Sequence, residues 1–446
     1  MKKEYGIENQ YRYPIFFGFG LVSILIGYIL TPSLTNLFKA LLMQQSATNL
    51  LDSNLLYLVK DVVLGAPFVN AGILFLLVLF SYFFAKVELN GASIPAAFMV
   101  FGFGFCGKNL WNIWPLLFGV IGFGLQKKKQ LSKLLPLAWF STALSPMVSI
   151  LTLYTQYDGS NVLSPEPHFS LSSFCFAVAA GLFAGYCILT LADLLPKKHE
   201  GLTVYNAGMA AGLTGFLAFS LMKAMGIAHG APSHEYPSFE NGTLVICIIV
   251  LLAYLLVCGI VVSHKEKEGI IGPIKELYLG NAVEQYGFGA TLINMALCGF
   301  LCLLYWFLTI KAAVHSPLFA SLFTVVGFAS NGISIKSMLP ILCGVYCTSF
   351  FAGIMQGDNH SLINGLEYVS SKNMIIAAIF GCGMAPVVYH YGYIVAFFAA
   401  MIHSLLVVNT GILHGWMNLY NNGFCIGLVV TFFVPILVKI VHKENR

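Results

Sequence analysis

Charge is what this sequence lacks. Only 9% of its 446 residues are Asp, Glu, Lys or Arg, and 58% are hydrophobic, whereas soluble domains carry roughly 25% charged residues. Long uncharged stretches recur along the whole chain, so the solvent for most of it is lipid. No soluble segment of appreciable size remains, which excludes an attached kinase, nucleotidase or DNA-binding module. Asp and Glu are nearly missing from the apolar stretches, with Asp61 and Asp193 at their ends. That scarcity removes the carboxylate relays common in ion-coupled carriers and leans towards a neutral substrate. No HExxH pairing is present, so neither a metal nor a cofactor is expected. All eleven cysteines lie in or beside apolar stretches. Cys298/Cys302 and Cys343/Cys347 have a helical spacing that could bind a metal, but free cysteine is mostly a small buried packing residue, and no disulfide framework is implied. The N-terminus lacks a signal-peptide cleavage pattern.

What charge there is falls into clusters. Lys2, Lys3 and Arg12 precede the first apolar stretch, Lys127, Lys128, Lys129 and Lys133 follow the fourth, and Lys197 and Lys198 follow the sixth. Lys265, Lys267 and Lys275 follow the eighth, and Lys439, Lys443 and Arg446 close the chain. The loops 155–171, 226–242 and 410–418 contain no Lys or Arg. Basic loops stay on the cytoplasmic side, so the pattern predicts a multi-pass protein of the plasma membrane with both termini cytoplasmic. The basic loops are topology signals, with the lipid bilayer as partner and no nucleic acid.

The pattern predicts an all-α polytopic membrane protein with about fourteen transmembrane segments. These are 14–33, 66–86, 92–106, 112–125, 134–154, 172–194 and 203–225, then 243–263, 288–309, 316–331, 337–353, 373–389, 391–409 and 419–440. Segments 92–106, 112–125, 316–331 and 337–353 fall short of the ~20 residues of a simple span and read as half-helices or re-entrant pieces. Residues 34–64 read as an external, partly amphipathic helix, and 355–372 as a polar external loop.

The sequence also repeats itself. Tyr205-Asn206-Ala207-Gly208 with Gly212-Leu213 is answered by Tyr420-Asn421-Asn422-Gly423 with Gly427-Leu428, and His199 and His414 lie six residues before the two tyrosines. Gly65 to Asn70 answers Gly289 to Asn294; Gly102, Gly107, Pro115 and Gly119 answer Gly327, Gly332, Pro340 and Gly344; Pro146 answers Pro386. Two copies with an odd number of segments lie upside down relative to each other, the inverted-repeat plan of many transporters. The repeats are expected as 1–225 and 226–446.

Each motif admits a chemical and a structural reading. An asparagine in lipid must find partners for its amide, so Asn206 and Asn421 either line a pore or bridge helices along a small-residue seam. Asn70 and Asn294 stand one turn into their spans, where a cavity role and helix-to-helix bonding weigh equally. The runs containing Gly104, Gly107, Lys108 and Asn109, and Asn331 and Gly332, are glycine-interrupted apolar segments in corresponding positions. Such breaks point to a transporter's binding site, or are simple turns. Lys108 faces Ile333 in the other copy and reads as an interfacial snorkelling lysine. Pro146 and Pro386 kink or end their helices. His199 and His414 are expected at a membrane interface, and His390 and His403 have no twins.

Over nearly its full length, the runs Gly65-Ala66-x-Phe68-Val69-Asn70-Ala71-Gly72 and Tyr-Asn-x-Gly-x-x-x-Gly-Leu resemble those of an uncharacterised family of duplicated bacterial membrane proteins. More distantly, the stretch from Tyr205 to Leu213 and the small-residue-Pro kinks are similar to the urea transporter family. That likeness implies two inverted repeats, a selective pore and a homo-oligomer, commonly a trimer. The urea family's Asn-Pro-Leu-Ser-Gly signature is absent here, its repeats are shorter, and this chain has about four more segments. The likeness therefore implies a solute pore without identifying urea.

The leading expectation is a transporter or channel for a small polar, uncharged solute. Its midplane site would be formed by Asn70, Gly104, Gly107, Asn109, Tyr205 and Asn206 with their partners Asn294, Asn331, Gly332, Tyr420 and Asn421. The alternative is an ion-coupled secondary carrier using Asp61, Asp193 or Glu284. A membrane-embedded enzyme or sensor would need an acid/base pair, a metal cluster or an activated nucleophile, and none is visible, so no catalytic residue is assigned.

Overall fold

A computed structural model describes residues 9–46, 64–153, 169–198, 200–226, 241–266, 272, 276–309, 314–357 and 360–441. Among the described residues there is no strand, as expected where lipid leaves each backbone polar group to bond within its own segment. Ten described helices are long and apolar enough to cross a membrane, and three further apolar helices are shorter. The protein is a polytopic helical membrane protein.

The chain forms two compact units. The first comprises Met1–Asp193, Ala210–Pro237 and Gly411–Leu419; the second comprises Leu194–Met209, Ser238–Thr410 and Tyr420–Arg446. Each unit therefore contains a short segment drawn from the opposite half of the sequence.

The first unit holds α1 (Asn9–Leu30), α2 (Leu34–Ser46), α3 (Ala66–Phe84), α4 (Ser93–Phe103), α5 (Trp114–Gln126), α6 (Leu131–Ser141) and α7 (Ser145–Leu153). It also takes most of α8 (Leu171–Lys198) and of α9 (Asn206–Ala224). Its core is aromatic: Phe16, Phe19, Phe75, Phe98 and Phe101 are buried, with Phe19 and Phe101 centroids 5.0 Å apart and Phe75 and Phe98 5.2 Å apart. Such edge-on and tilted rings add to the burial of apolar area. Helices α1 and α3 meet along glycines, with Gly65 set against the Gly27 carbonyl, the small-residue packing that brings membrane helices close.

The second unit holds α10 (Asn241–Glu266), α11 (Ala282–Tyr286), α12 (Phe288–Leu308), α13 (Ser316–Phe328), α14 (Ile335–Gln356) and α15 (Leu362–Val369). It continues with α16 (Lys372–Gly381), α17 (Ala385–Thr410), α18 (Asn421–Leu428) and α19 (Val434–Val441). A π-helical turn, Val429–Phe433, joins α18 to α19.

The apolar segment 134–154 is two helices, α6 and α7, joined by a 3-10 turn at Thr142–Leu144; α16 and α17 repeat the device with a 3-10 turn at Cys382–Met384. Pro146 and Pro386 stand at the second position of the helix that follows, where a missing N–H leaves no bond unmade.

Two expectations are corrected. The 337–353 segment is no half-helix: a reciprocal Ser334/Ser337 cap starts it early and α14 runs for 22 residues. The segments 373–389 and 391–409 adjoin as expected, with the backbone turning between them at Gly392, φ 82°. The 355–372 stretch is not all loop, since α15 lies within it. Asp52, Lys60, Asp61 and His199, with most of the loops 155–171 and 226–242, lie outside the described residues.

Candidate functional site

In the first unit α4 stops short and the chain crosses residues 104–113 before α5 begins. A break of this kind leaves carbonyls without helical partners. Asn70, on α3, supplies two of them: its Nδ2 donates to the Gly104 carbonyl at 2.7 Å and to the Lys108 carbonyl at 3.1 Å. Gly107 holds φ +84° at the turn, a conformation that a side chain disfavours. Its carbonyl accepts from Asn112 Nδ2 at 3.0 Å and from Ser145 Oγ at 3.2 Å. Asn109 Oδ1 accepts the N–H groups of Trp111 and Asn112, and its Nδ2 donates to the Gln45 carbonyl on α2 at 3.3 Å.

The second unit repeats the knot. Asn294, on α12, donates from Nδ2 to the Ala329 carbonyl at 2.8 Å and the Ile333 carbonyl at 2.9 Å. Gly332 holds φ +109° at the turn. Here the knot has a second donor, because the Tyr278 hydroxyl has the same two carbonyls, Ala329 and Ile333, within reach of its one hydrogen. Asn331 is half-buried, and its backbone N–H returns to the Phe328 carbonyl at 2.8 Å.

Lys108 requires a correction. It does not snorkel to an interface, for its side chain is completely buried. A buried amine needs polar partners, and Lys108 Nζ donates to Thr142 Oγ1 at 2.7 Å, with the Phe103 ring centroid 5.5 Å away. Lys108 and Ile333 are equivalent in what the knot uses, the backbone carbonyl, so their side chains are free to differ.

The two Tyr-Asn motifs meet within the second unit. A methyl group on Gly208 would lie 2.7 Å from the Gly423 Cα, so the two backbones are in direct contact. Tyr205 is buried, and its ring lies edge-on to Phe328 with centroids 4.7 Å apart, beside Gly383. Motif and helix break are thus adjacent. The stretch before Tyr205 donates a backbone bond from Val204 to the Gly383 carbonyl at 3.1 Å; in the first unit Leu419, before Tyr420, donates to the Ala143 carbonyl at 3.0 Å. These are the same bond in two copies, each anchored on a 3-10 turn.

The motif asparagines differ in their partners. Asn421 is engaged: its Nδ2 donates to the Val407 carbonyl at 3.1 Å and its Oδ1 accepts from Thr410 Oγ1 at 2.8 Å. The buried Oδ1 of Asn206 has no hydrogen-bond partner, and neither does that of Asn70. Tyr420 is buried, and its carbonyl accepts from the Phe424 N–H.

Across the whole chain the expected site residues form two groups. Asn70, Gly104, Gly107 and Asn109 come together in the first unit; Asn294, Asn331, Gly332, Tyr205, Asn206, Tyr420 and Asn421 belong to the second. His414 is buried and accepts the Asn418 N–H at 3.4 Å. Asp193 is exposed and paired with Lys129 at 2.5 Å, and Glu284 is exposed in the first turn of α11. No group of three or more His, Cys, Asp and Glu among the described residues could hold a metal ion. Residue-type reasoning passed over Tyr278, Thr142 and Gln45, whose roles depend on carbonyls and side chains far away in sequence.

A family model described as "Protein of unknown function (DUF1576)" matches residues 43–224 and 276–439. The chain belongs to this family. No curated protein and no solved structure matches it, and the likeness to urea transporters rests on the short motifs alone. The two matched stretches fall one on each side of the 225/226 division; the first contains Asn70 and its break, the second Asn294 and its own.

Proposed function

We propose that this member of the DUF1576 family is a transporter or channel that moves a small polar, uncharged solute across the plasma membrane through a site built on two inverted repeats. The observation that carries the reading is the pair of helix breaks, 104–113 and 329–334, each closed by one asparagine on two carbonyls. Non-helical backbone at membrane depth is tolerated only where protein or a cavity receives it, and paired discontinuous helices in corresponding positions mark transporter sites. The Gly208–Gly423 contact supports a two-fold relation between the motif copies, because equivalent residues touch one another only beside such an axis. The clusters of lysine at 127–129 and 197–198 support cytoplasmic termini.

Asn206 is the residue to test, since its buried amide oxygen is uncommitted and an amide suits a neutral hydrogen-bonding solute better than a bare ion. The protein is reconstituted into liposomes, and uptake of urea, glycerol, acetamide and other neutral solutes is followed by light scattering. At least one solute is expected to cross faster than in protein-free vesicles, and Asn206→Leu is expected to slow it while purifying as a monodisperse species. If every neutral solute crosses at the protein-free rate, the reading fails.

A further inference from the structure

We propose that the helix break of the first unit is a binding site for a small neutral carboxamide, held by Gln44 and Asn70. The site stands on the geometry of that unit alone. It gives the transporter reading a substrate class and rests on that reading only for passage across the membrane.

Each break is closed by one asparagine, but the two amide oxygens differ. In the second unit Asn294 is fully committed: its Oδ1 accepts the Cys298 thiol at 3.7 Å, and its Nδ2 reaches the Tyr278 hydroxyl at 3.1 Å besides the Ala329 and Ile333 carbonyls. In the first unit Asn70 is completely buried and gives its N–H groups to the Gly104 and Lys108 carbonyls. Its Oδ1 has no partner. Four residues on stands Leu74, an apolar residue where the second copy has Cys298. The second knot is closed, and the first is open at one oxygen.

A second uncommitted amide comes to the same break. The last turn of α2 is pinned there through Gln45, whose Oε1 accepts the Leu110 N–H at 2.8 Å and whose carbonyl accepts Trp111 Nε1 at 2.9 Å. Gln44, the residue before, turns the other way. Leu37, Ala40 and Gln44 recur at the spacing of one helical face, and the first two pack in one cluster with Ala66 and Val69 on α3. Asn70 follows Val69 directly. Gln44 is 1% exposed, yet neither its Oε1 nor its Nε2 has a partner. Buried amides are almost always hydrogen-bonded, so a wholly unbonded one on a core-facing stripe calls for a partner from outside the chain.

The uncommitted atoms define what that partner carries. They are two acceptor oxygens and one nitrogen with two donors. A carboxamide complements them: its two N–H groups serve the oxygens of Asn70 and Gln44, and its carbonyl accepts from Gln44 Nε2. A carboxylate brings no donor to either oxygen, and an ammonium brings no acceptor to the nitrogen. Buried polar atoms without bonds cost free energy, which a ligand of this pattern recovers on binding.

The test uses the full chain in lipid nanodiscs, with acetamide as the probe and saturation transfer to its methyl protons as the readout. Acetamide is expected to receive saturation from the wild type and to titrate to a plateau. Acetate, and N,N-dimethylacetamide, which keeps the carbonyl but has no N–H, are expected to bind at least about tenfold more weakly, because a site built to hydrogen-bond a group rejects analogues that lack it. Gln44→Met, similar in length and without polar atoms, is expected to lose acetamide binding by the same factor and to melt no lower than the wild type, since no bond within the protein is lost. No saturation of acetamide in the wild type means that water serves these atoms and overturns the site. Equal binding of the three compounds, unchanged acetamide binding in Gln44→Met, or a folded Gln44→Met that melts well below the wild type overturns it as well. If Gln44→Met does not fold, the three compounds on the wild type decide. Acetamide that binds as expected yet enters liposomes at the protein-free rate leaves the site intact and counts against the transporter reading. Acetamide flux without Gln44-dependent binding does the reverse.

Discussion

Gly208 touches Gly423, the residue that occupies its own place in the other copy of the motif. A methyl group on Gly208 would sit 2.7 Å from the Gly423 Cα, and one on Gly423 would sit 3.1 Å from the Gly208 Cα. Backbone cannot yield as a side-chain tip can. Gly208→Ala is therefore expected to destabilise the protein by about 1–3 kcal/mol, the usual cost of overpacking, and Gly423→Ala by less. Melting curves in detergent read both; equal melting temperatures for Gly208→Ala and wild type would mean that the contact is loose.

Asn70 and Asn294 do the same work with different insurance. Asn70→Leu leaves the Gly104 and Lys108 carbonyls without its amide, at a cost of about 1–3 kcal/mol for each buried polar group left unsatisfied. After Asn294→Leu, the Tyr278 hydroxyl still has its one hydrogen for Ala329 or Ile333. Asn70→Leu is expected to melt at the lower temperature, and the order should reverse in a Tyr278→Phe background.

Lys108 and Thr142 form one bonded pair, and their counterparts in the second unit are Ile333 and Cys382. Transplanting that pair, as Lys108→Ile with Thr142→Cys, removes a buried amine and its acceptor together, which proteins tolerate better than the loss of one partner. Thr142→Cys alone removes the hydroxyl that accepts from Nζ and is expected to be the less stable protein. Should the double variant melt below Thr142→Cys, the lysine has a further role in this knot.

Asn421 is held by Thr410 and Val407, unlike Asn206. Asn421→Leu is expected to lower stability while leaving flux per folded molecule close to wild type. A double-mutant cycle with Thr410→Val should show a coupling of about 0.5–3 kcal/mol, the range for residues in direct contact. Flux lost without loss of stability would instead place the amide among the solute contacts.

Sidedness can be tested at Lys128, an exposed residue in the turn between α5 and α6. Lys128→Cys, in a background without native cysteines, should react with a membrane-impermeant maleimide only after the cells are opened. Labelling of intact cells would reverse the orientation.

The helices were legible because an uncharged run of sufficient length has one way to satisfy its backbone in lipid, and α3, α10 and α12 follow their runs closely. The length of α14 was not, since its start depends on a serine cap lying beyond the apolar residues. The equivalence of Asn70 and Asn294 was legible; their partners were not, because a freed carbonyl has no residue type to announce it. Lys108 was misjudged for a related reason: position along the chain placed it near a segment end, but the turn at Gly107 carries it inwards.

The exchange of 194–209 and 411–419 between units bears on how the molecule is made and on how it arose. A ribosome that has released only the first half has delivered a unit still missing a part encoded some two hundred residues downstream, so that unit is completed only late in synthesis. A gene cut between the halves would yield fragments that are each incomplete alone but complementary when co-expressed. Once such an exchange is established after duplication, losing either copy removes a piece of the other, and the ancestral single-copy form is no longer one deletion away.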